Sequence, residues 1–253
     1  MLNRPYEEYK AYFRKNPAAD PLVPFLEDIG TPLLTGAPAV LDWDRYELTN
    51  SAILINSAGT VTGSYAKQHP VPFAEYIPFY EQEWMKSFMK KVAGLEGTWT
   101  MGTEATVMEV DSPSGRPLRF GVPICFEDAF PDVCAAFIRN GADILINLTN
   151  DSWSKTVSAE TQHFALARFR AVENRRVLVR STNSGVTSVV DAEGNLLATL
   201  PLFTEDALAV LVPVQIARRA TTYFILGDWF PLLLALLLAA YIFTERKNTD
   251  EQS

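Results

Sequence analysis

The sequence is poor in the residue types that build disulfide frameworks and metal sites. Its 253 residues include two cysteines, Cys125 and Cys134, and two histidines, His69 and His163. Because the cysteines form no C-x-x-C pair, the pattern predicts neither a disulfide framework nor a structural zinc site. Cations are also in deficit, with 22 Lys and Arg against 30 Asp and Glu and a net charge of -8. Nucleic-acid binding requires clustered Lys and Arg, so we expect no nucleic-acid partner.

The first twenty residues lack the apolar core and the small-residue cleavage site of a signal peptide. The other end of the sequence differs, because residues 224–243 read FILGDWFPLLLALLLAAYIF and contain a single charge, Asp228. A helix of that length covers the hydrocarbon core of a bilayer, about 30 Å. We therefore predict one transmembrane helix, with a buried C-terminal helix as the alternative. Arg246 and Lys247 follow it and favour a cytoplasmic C terminus, which places the preceding residues on the outer side.

Between residues 30 and 215, segments rich in β-branched residues alternate with helical patterns, which predicts an α/β fold. The predicted strands are 31–40, 51–59, 104–111, 118–126, 142–150, 176–184, 186–194, 196–200 and 208–214. The predicted helices, from apolar residues at three and four spacing, are 20–29, 130–140 and 158–175. We divide the chain into a domain over 1–215, a linker over 216–223, the apolar helix over 224–243 and a polar tail over 244–253.

Residues 81–97 form a separate amphipathic segment. One helical stripe contains Trp84, Met85, Phe88, Met89, Val92 and Leu95, with three lysines beside it. The stripe fits a core helix, and it also fits a helix that lies at a membrane surface as a lid. The flanking glycines and the basic neighbours favour the lid.

Cys125 ends an apolar run, GVPIC, and is either a buried core residue or a nucleophile. A cysteine reacts as the thiolate, so a neighbouring group must take its proton or stabilise its charge. His69 and His163 are candidates for a Cys-His pair, but His163 lies within a predicted helix, where a structural hydrogen bond is expected. Lys67 follows a predicted strand, and Glu75 comes eight residues later. Strand ends are positions where side chains of neighbouring strands converge, so Lys67 either meets Cys125 there or is a solvated surface lysine.

Four sequence blocks resemble the nitrilase superfamily, and within it the apolipoprotein N-acyltransferases of bacterial envelopes. They are YAKQHPVPFAEYIPF, GVPICFEDAFP, LINLTNDSW and QHFALARFRAVENRRVLVRSTNSGVTSVVDAEG. The resemblance covers roughly residues 30–243 in the order and spacing of the family. It implies a four-layer αββα nitrilase-like sandwich, followed here by one C-terminal transmembrane helix.

The resemblance also implies a role for individual residues. Cys125 matches the nucleophile, Lys67 the lysine that stabilises the tetrahedral oxyanion, and Glu75 and Glu127 two acidic residues that the family keeps near the site. The implied reaction moves a fatty acyl chain from a phospholipid, through a Cys125 thioester, to the N-terminal amine of a diacylglyceryl apolipoprotein. It needs no metal and no cofactor, and it belongs to the periplasmic side of the bacterial inner membrane. The residues expected to contact substrate are Trp84, Phe88, Phe126, Asn150 and Trp153.

The sequence departs from the family pattern at the general base. In the family that glutamate ends an apolar strand well upstream of the lysine, at a position that falls at or before Met1 here. Glu7 and Glu8 are the first acids, and no apolar strand precedes them. We therefore expect an N-terminally incomplete domain, either a fragment or one half of a split enzyme. Two further alternatives stay open: a membrane-tethered carbon-nitrogen amidohydrolase, and a truncated domain without activity.

Overall fold

The computed structural model of the protein describes residues 2–45, 47–72, 74–80, 82–93, 98–112, 115–215 and 219–250. The helices in these ranges are α1 (Tyr6–Lys15), α2 (Val23–Ile29), α3 (Glu83–Ala93), α4 (Pro131–Arg139), α5 (Val157–Asn174), α6 (Thr222–Leu226) and α7 (Trp229–Asp250). The strands are β1 (Leu33–Asp42), β2 (Glu47–Ile55), β3 (Val61–Ala66), β4 (Met108–Val110), β5 (Leu118–Gly121), β6 (Ile144–Asn150), β7 (Leu178–Asn183), β8 (Ser188–Val190) and β9 (Leu196–Thr199).

The strands form two sheets. In the first, β1, β2 and β3 pair antiparallel in that order, and in the second, β4 to β9 follow chain order. The second sheet is mixed, because β5, β6 and β7 run parallel while its other neighbours are antiparallel. The parallel connections contain α4 and α5, as parallel neighbours need a crossover. The β6–β7 register pairs Leu145 with Leu178 and Asn150 with Asn183, so both strands end at the same edge.

The first sheet has an apolar core on each face. Ile53 and Ile55 of β2 pack in one cluster with Tyr6 of α1. The intervening residues, Ala52 and Leu54, belong instead to a larger cluster that includes the second sheet. Because successive strand residues point to opposite faces, the continuous apolar sequence AILI is buried on both sides.

The larger core joins the second sheet to the helices that cover it. Its buried members include Phe120 of β5, Leu145 of β6, Phe137 of α4 and Ala171 of α5. Gly121 lets α4 approach closely, since a Cβ there would lie 2.3 Å from Phe137 Cγ. The prediction of an α/β fold in which helices pack against two sheets is confirmed.

The predicted strand at 208–214 is wrong. This segment is irregular, although Val212 and Val214 pack against the larger core while Leu211 is 96% exposed. The alternation of buried and exposed residues in this segment therefore comes from one side of the segment packing against the core, and not from a β-strand. In the described part of the chain no neighbouring strand pairs with the segment, and Pro213 has no N–H to donate to a ladder.

The predicted transmembrane helix over 224–243 is not observed as one continuous helix. Gly227, with a φ of 58°, ends α6 and donates its N–H to the Tyr223 carbonyl at 2.7 Å, and α7 begins two residues later. Across the ranges that the structure describes, no helix is both long enough and apolar enough to cross a membrane.

The alternative of a buried C-terminal helix is also wrong. Leu232, Leu236 and Phe243 of α7 are 66%, 69% and 72% exposed. Residues 216–218 of the predicted linker and 251–253 of the predicted tail lie outside the described residues.

α3 is a surface helix. Within its apolar stripe Met89 is buried, whereas Trp84, Phe88 and Val92 are 62%, 53% and 66% exposed. A core helix would bury these side chains, so that interpretation is wrong for most of the stripe. Residues 81 and 94–97, which include Leu95, lie outside the described residues.

Candidate functional site

Lys67 follows the last residue of β3 and is almost fully buried, with 3% of its surface exposed. Its N–H donates to the Asn50 carbonyl and its carbonyl accepts from the Gly102 N–H, both at 2.8 Å. Gly102 permits this approach because a Cβ there would lie 2.1 Å from the Ala66 carbonyl oxygen. The backbone of Lys67 is therefore held on both sides, which fixes where the ammonium group can reach.

Glu75 is bound to Lys67 by a direct ion pair. Lys67 Nζ donates to Glu75 Oε2 at 2.5 Å, and the Val71 N–H donates to the same oxygen at 2.8 Å. Asn50 Nδ2 donates to Glu75 Oε1 at 2.8 Å. Charge-assisted hydrogen bonds of this kind are short and strong, so Glu75 orients the lysine side chain.

Cys125 begins a 3-10 helix, Cys125–Ala129, four residues beyond the end of β5. Its φ of 53° lies in the left-handed region, which a non-glycine residue adopts at a cost. Two contacts with β6 hold it there: Ile124 bridges Leu148, and Asn147 Nδ2 donates to the Cys125 carbonyl at 2.9 Å. Asn147 also donates to the Pro123 carbonyl at 3.0 Å. Cys125 therefore lies in a strained turn that is held against β6.

The electrostatic surroundings of Cys125 act in opposite directions. Burial raises the pKa of the thiol above its ordinary value, and the Asp151 carboxylate raises it further. The Lys67 ammonium and a hydrogen bond with the Thr149 hydroxyl lower the pKa, but they do not overcome burial. Burial therefore dominates, and these surroundings favour the protonated thiol over the thiolate. The predicted meeting of Lys67 and Cys125 is consistent with this influence of the ammonium on the thiol.

Glu127 is fully buried and accepts four hydrogen bonds. Its Oε1 accepts from the Tyr65 hydroxyl at 2.9 Å and from the N–H groups of Gln68 and His69 at 2.7 and 3.0 Å. Its Oε2 accepts from the Ile124 N–H at 2.7 Å. Burial raises the pKa of this carboxyl, and the four donors lower it in part.

The contacts of Glu127 define its place in the site. One oxygen holds the residues that directly follow Lys67, and the other holds the residue that directly precedes Cys125. A single carboxylate therefore links the segment after Lys67 to the turn that contains Cys125. The sequence places Glu75 and Glu127 together as acidic residues near the site, and the structure separates them: one contacts the ammonium, the other clamps two backbone segments.

A buried ionic cluster lies beneath the 3-10 helix. His163 of α5 interacts through Nε2 with Asp128 at 2.8 Å and through Nδ1 with Asp151 at 3.0 Å. Arg180 of β7 pairs with the same two carboxylates, at 3.1 Å to Asp128 and 3.7 Å to Asp151. The Thr149 hydroxyl donates to Asp151 at 3.2 Å. The predicted structural role of His163 agrees with these contacts.

The cluster predicts how stability varies with pH. Burial opposes the charged imidazole, but the hydrogen bonds with Asp128 and Asp151 outweigh it and raise the pKa of His163 to about 9. In the unfolded chain the pKa of His163 is lower, about 6.5. The protonated imidazole therefore stabilises the folded state fully below about pH 6.5, and this stabilisation is lost as pH rises through 9. Urea unfolding should show a loss of about 3 kcal/mol across this window. In His163→Gln the loss should be absent, whereas a parent protein equally stable at pH 6.5 and 9.5 would contradict the assignment.

The residues predicted to contact substrate divide into two groups. Phe126 adjoins Cys125, is 40% exposed, and packs against Phe130 and His163 with ring centroids 5.5 and 5.6 Å apart. Asn150, at the end of β6, is turned toward its own loop, since its Oδ1 accepts from the Ser152 hydroxyl at 2.6 Å.

Trp153 is 76% exposed in the loop after β6, and Trp84 and Phe88 are exposed on α3. No contact places these three side chains against Cys125 within the described residues, so their substrate contacts stay predictions.

Sequence reasoning missed the polar side chains of β6 and its end: Asn147, Thr149 and Asp151. They stand inside the run that reads LINLTND, which the apolar pattern predicts as a buried strand. A signal was available, because polar residues at every second position of a buried strand need partners. Their partners are the Cys125 turn and the ionic cluster.

Comparison with known proteins decides the family. The family model described as carbon-nitrogen hydrolase matches residues 24–222. The chain belongs to the carbon-nitrogen hydrolase family. Among solved structures, Nit3 of Saccharomyces cerevisiae, a nitrilase-superfamily member, has a TM-score of 0.51 at 22% identity and covers 72% of this chain and 62% of its own. An amidase from Nesterenkonia sp. AN1 gives 0.50 at 21% identity, with 72% and 61% covered. At these identities the likeness shows the nitrilase-like fold alone.

Curated relatives within the family are named apolipoprotein N-acyltransferases. "Apolipoprotein N-acyltransferase 2" of Treponema denticola is 42% identical over 244 residues, covering 96% of this chain and 46% of the relative. The enzyme of Borreliella burgdorferi is 33% identical over 253 residues, with 98% and 47% covered. That of Geobacter metallireducens is 35% identical over 246 residues, with 95% and 45% covered. The chain spans about half the length of these relatives.

Proposed function

We propose that this carbon-nitrogen hydrolase family member acts as an N-acyltransferase, moving a fatty acyl chain from a phospholipid to the N-terminal amine of a diacylglyceryl apolipoprotein. The observation that carries the proposal is the buried ammonium of Lys67, fixed by Glu75 and acting on the thiol of Cys125. The names of the curated relatives support the acyl donor and acceptor at the level of their class.

In the first half-reaction the Cys125 sulfur attacks the ester carbonyl of the phospholipid, and a carbonyl oxygen becomes an oxyanion. The almost fully buried Lys67 ammonium stabilises that charge, and such stabilisation usually contributes most to the acceleration of acyl transfer. The C–O bond then breaks, the leaving alcohol takes a proton, and a Cys125 thioester remains. In the second half-reaction the lipoprotein amine attacks the thioester, loses a proton and forms an amide, and the thiol is restored.

The proton of Cys125 needs an acceptor. Glu75 is held by Lys67, Glu127 by four donors, and Asp151 by His163 and Thr149. Each of these carboxylates already has a partner that favours its present position. In this proposal the proton of Cys125 therefore goes to a group other than these three carboxylates.

The proposal places the reaction at the inner membrane of a bacterium, with the catalytic domain on the periplasmic side. Both substrates are lipids, and leaving the bilayer exposes their chains to water at a cost proportional to apolar area. The exposed apolar side chains of α7 and of α3 fit contact with lipid. In this account α3 is the lid, with Trp84 and Phe88 facing the acyl chain.

The test is a transfer assay on membranes of cells that express the protein from its natural gene. Phospholipid with a labelled acyl chain is supplied together with a peptide that begins with diacylglyceryl-cysteine. The proposal predicts label on the peptide amine and none with Cys125→Ala. Label that appears as free fatty acid, or ammonia released from small amides, would instead indicate an amidohydrolase-type reaction, and no reaction at all would indicate an inactive domain.

A further inference from the structure

A cavity of about 240 Å³ lies where α4, α5 and α6 meet, and the catalytic residues do not line it. The residues that matter for its chemistry are Asp132, Arg139, Glu173, Asn174, Tyr223 and Asp228. The wall from α6 is anchored to α5, because the Thr221 hydroxyl donates to the Glu173 carbonyl at 2.5 Å. The cavity is therefore part of the folded domain.

Two hydrogen-bond acceptors at this cavity have no partner in the part of the chain that the structure describes. Asn174 is 4% exposed, and its Nδ2 donates to the Arg170 carbonyl at 2.8 Å. Since that carbonyl can only accept, the amide orientation is fixed, and Oδ1 is the buried atom that lacks a donor among the described residues. Glu173 Oε1 accepts from Arg170 at 2.8 Å, whereas its Oε2 is buried and meets no described donor. Buried acceptors are normally hydrogen-bonded, so a ligand that enters the cavity and satisfies these two oxygens must donate hydrogen bonds.

The charge of the lining indicates that the donor is a cation. Among the described residues, three carboxylates, Asp132, Glu173 and Asp228, and one cation, Arg139, line the cavity, and Arg170 pairs with Glu173 at 2.8 Å from outside the lining. One negative charge is left over. Burial raises the pKa of Glu173, and Asp228 raises it further, while Arg170 lowers it. Local negative charge is thus in excess, and a bound cation would relieve it.

Arg139 is already engaged at the edge of the cavity. Its Nη2 donates to the Phe224 carbonyl at 3.2 Å, and its guanidinium lies 5.1 Å from the centroid of the Phe224 ring. Its guanidinium therefore places a positive charge at the edge of the cavity, where it can pair with an anionic group of a ligand.

The surface next to the cavity is apolar. α7 begins directly after Asp228, and Trp229, Phe230 and Leu232 are 40%, 53% and 66% exposed. If the polar end of a ligand enters the cavity, the rest of the ligand lies beside these apolar side chains. That part of the ligand is expected to be a hydrocarbon chain, because contact between apolar surfaces removes both from water.

We propose that this cavity binds the primary ammonium group of a phospholipid headgroup, with the acyl chains lying along α7. The ammonium donates to Glu173 Oε2 and Asn174 Oδ1, and the lipid phosphate approaches Arg139. A quaternary ammonium cannot make these bonds because it has no N–H. The site is separate from Cys125, so the inference does not depend on acyl transfer.

The test uses the whole chain carrying Cys125→Ala, which keeps lipid turnover out of the measurement. Its thermal midpoint is measured in detergent micelles doped with phosphatidylethanolamine, with phosphatidylcholine of the same acyl chains, or with soluble phosphoethanolamine. Phosphatidylethanolamine at tenfold excess over its dissociation constant should raise Tm by about 3–6 °C, and phosphatidylcholine should give less than half of that shift. If soluble phosphoethanolamine raises Tm as much as phosphatidylethanolamine does, the cavity binds a soluble amine, and the proposal of a lipid ligand is wrong.

Two variants tie the shift to the cavity. Glu173→Gln removes the charge beside the ammonium, and Asp228→Asn does so at a position outside the helices while keeping an oxygen that can accept from the Tyr223 hydroxyl. Both should reduce the shift with phosphatidylethanolamine at least twofold, whereas Glu205→Gln, at an exposed position outside the cavity, should leave it unchanged. Equal shifts with the two lipids, or a full shift in both cavity variants, would overturn the proposal.

Discussion

Replacing Lys67 with methionine should lower the rate of acyl-thioester formation on Cys125 by about 10²–10³-fold, the usual effect of removing one donor to a developing oxyanion. Lys67 is 3% exposed and its ammonium both acts on the thiol and pairs with Glu75. Methionine has a similar volume, so the change removes charge with little change in packing. Single-turnover transfer from labelled phospholipid gives the rate. Lys15→Met, at an exposed position of α1, is the matched control and should react like the parent.

The same substitution leaves Glu75 without its cation, which should cost about 3 kcal/mol of stability, as breaking a buried ion pair does. The double variant Lys67→Met with Glu75→Leu separates the two effects. It should regain most of the lost stability and none of the lost rate. Recovery of the rate in the double variant would show that Lys67 acts only through folding, and our assignment of the oxyanion role would be wrong.

Replacing Glu127 with glutamine should destabilise the protein by about 3 kcal/mol. The amide NH₂ group of the glutamine would face the N–H of Ile124, two donors would meet, and a buried donor would be left without an acceptor. The three donors to Oε1 could stay in place, so the loss is concentrated at the Cys125 turn. Urea unfolding measures the effect, and Glu109→Gln, at an exposed position of β4, is the control.

Glu127→Gln also has a kinetic consequence that a purely structural residue would not have. Since Glu127 fixes the Cys125 turn relative to the segment after Lys67, the variant should lower kcat at temperatures where it is fully folded, while KM for phospholipid changes little. A folded Glu127→Gln variant with the parental kcat would show that Glu127 does not position the Cys125 turn relative to Lys67.

The placement of Lys67 and Cys125 at strand ends could be predicted from the sequence, whereas their catalytic roles stay predictions. Lys67 directly follows β3, and the Cys125 turn follows β5, so the sequence blocks that carry the family resemblance are also the places where the chain leaves the sheets. Glu75 and Glu127 came from the same blocks. Their separate functions could not be predicted, since which backbone N–H groups a carboxylate meets depends on the packing of distant segments.

Other features required the folded chain. The left-handed conformation of Cys125 is not encoded by a glycine, and contacts with Asn147 and Leu148 hold it in place. The strand predicted at 208–214 has the right alternation but no strand to pair with in the described ranges. Similarly, the apolar run over 224–243 is divided at Gly227, where a left-handed φ outweighs the helical propensity of its neighbours.

If Cys125 carries the acyl group, an acyl-thioester adduct forms on this residue and can be detected. Membranes of cells that express the protein are incubated with phospholipid of defined acyl chain and no amine acceptor, and the protein is then digested and measured by mass spectrometry. The account predicts one acyl group on the peptide that contains Cys125, released by neutral hydroxylamine as thioesters are. Cys134→Ala should label like the parent, because Cys134 is fully buried in α4 and burial raises the pKa of its thiol. Labelling that persists in Cys125→Ala would contradict the account.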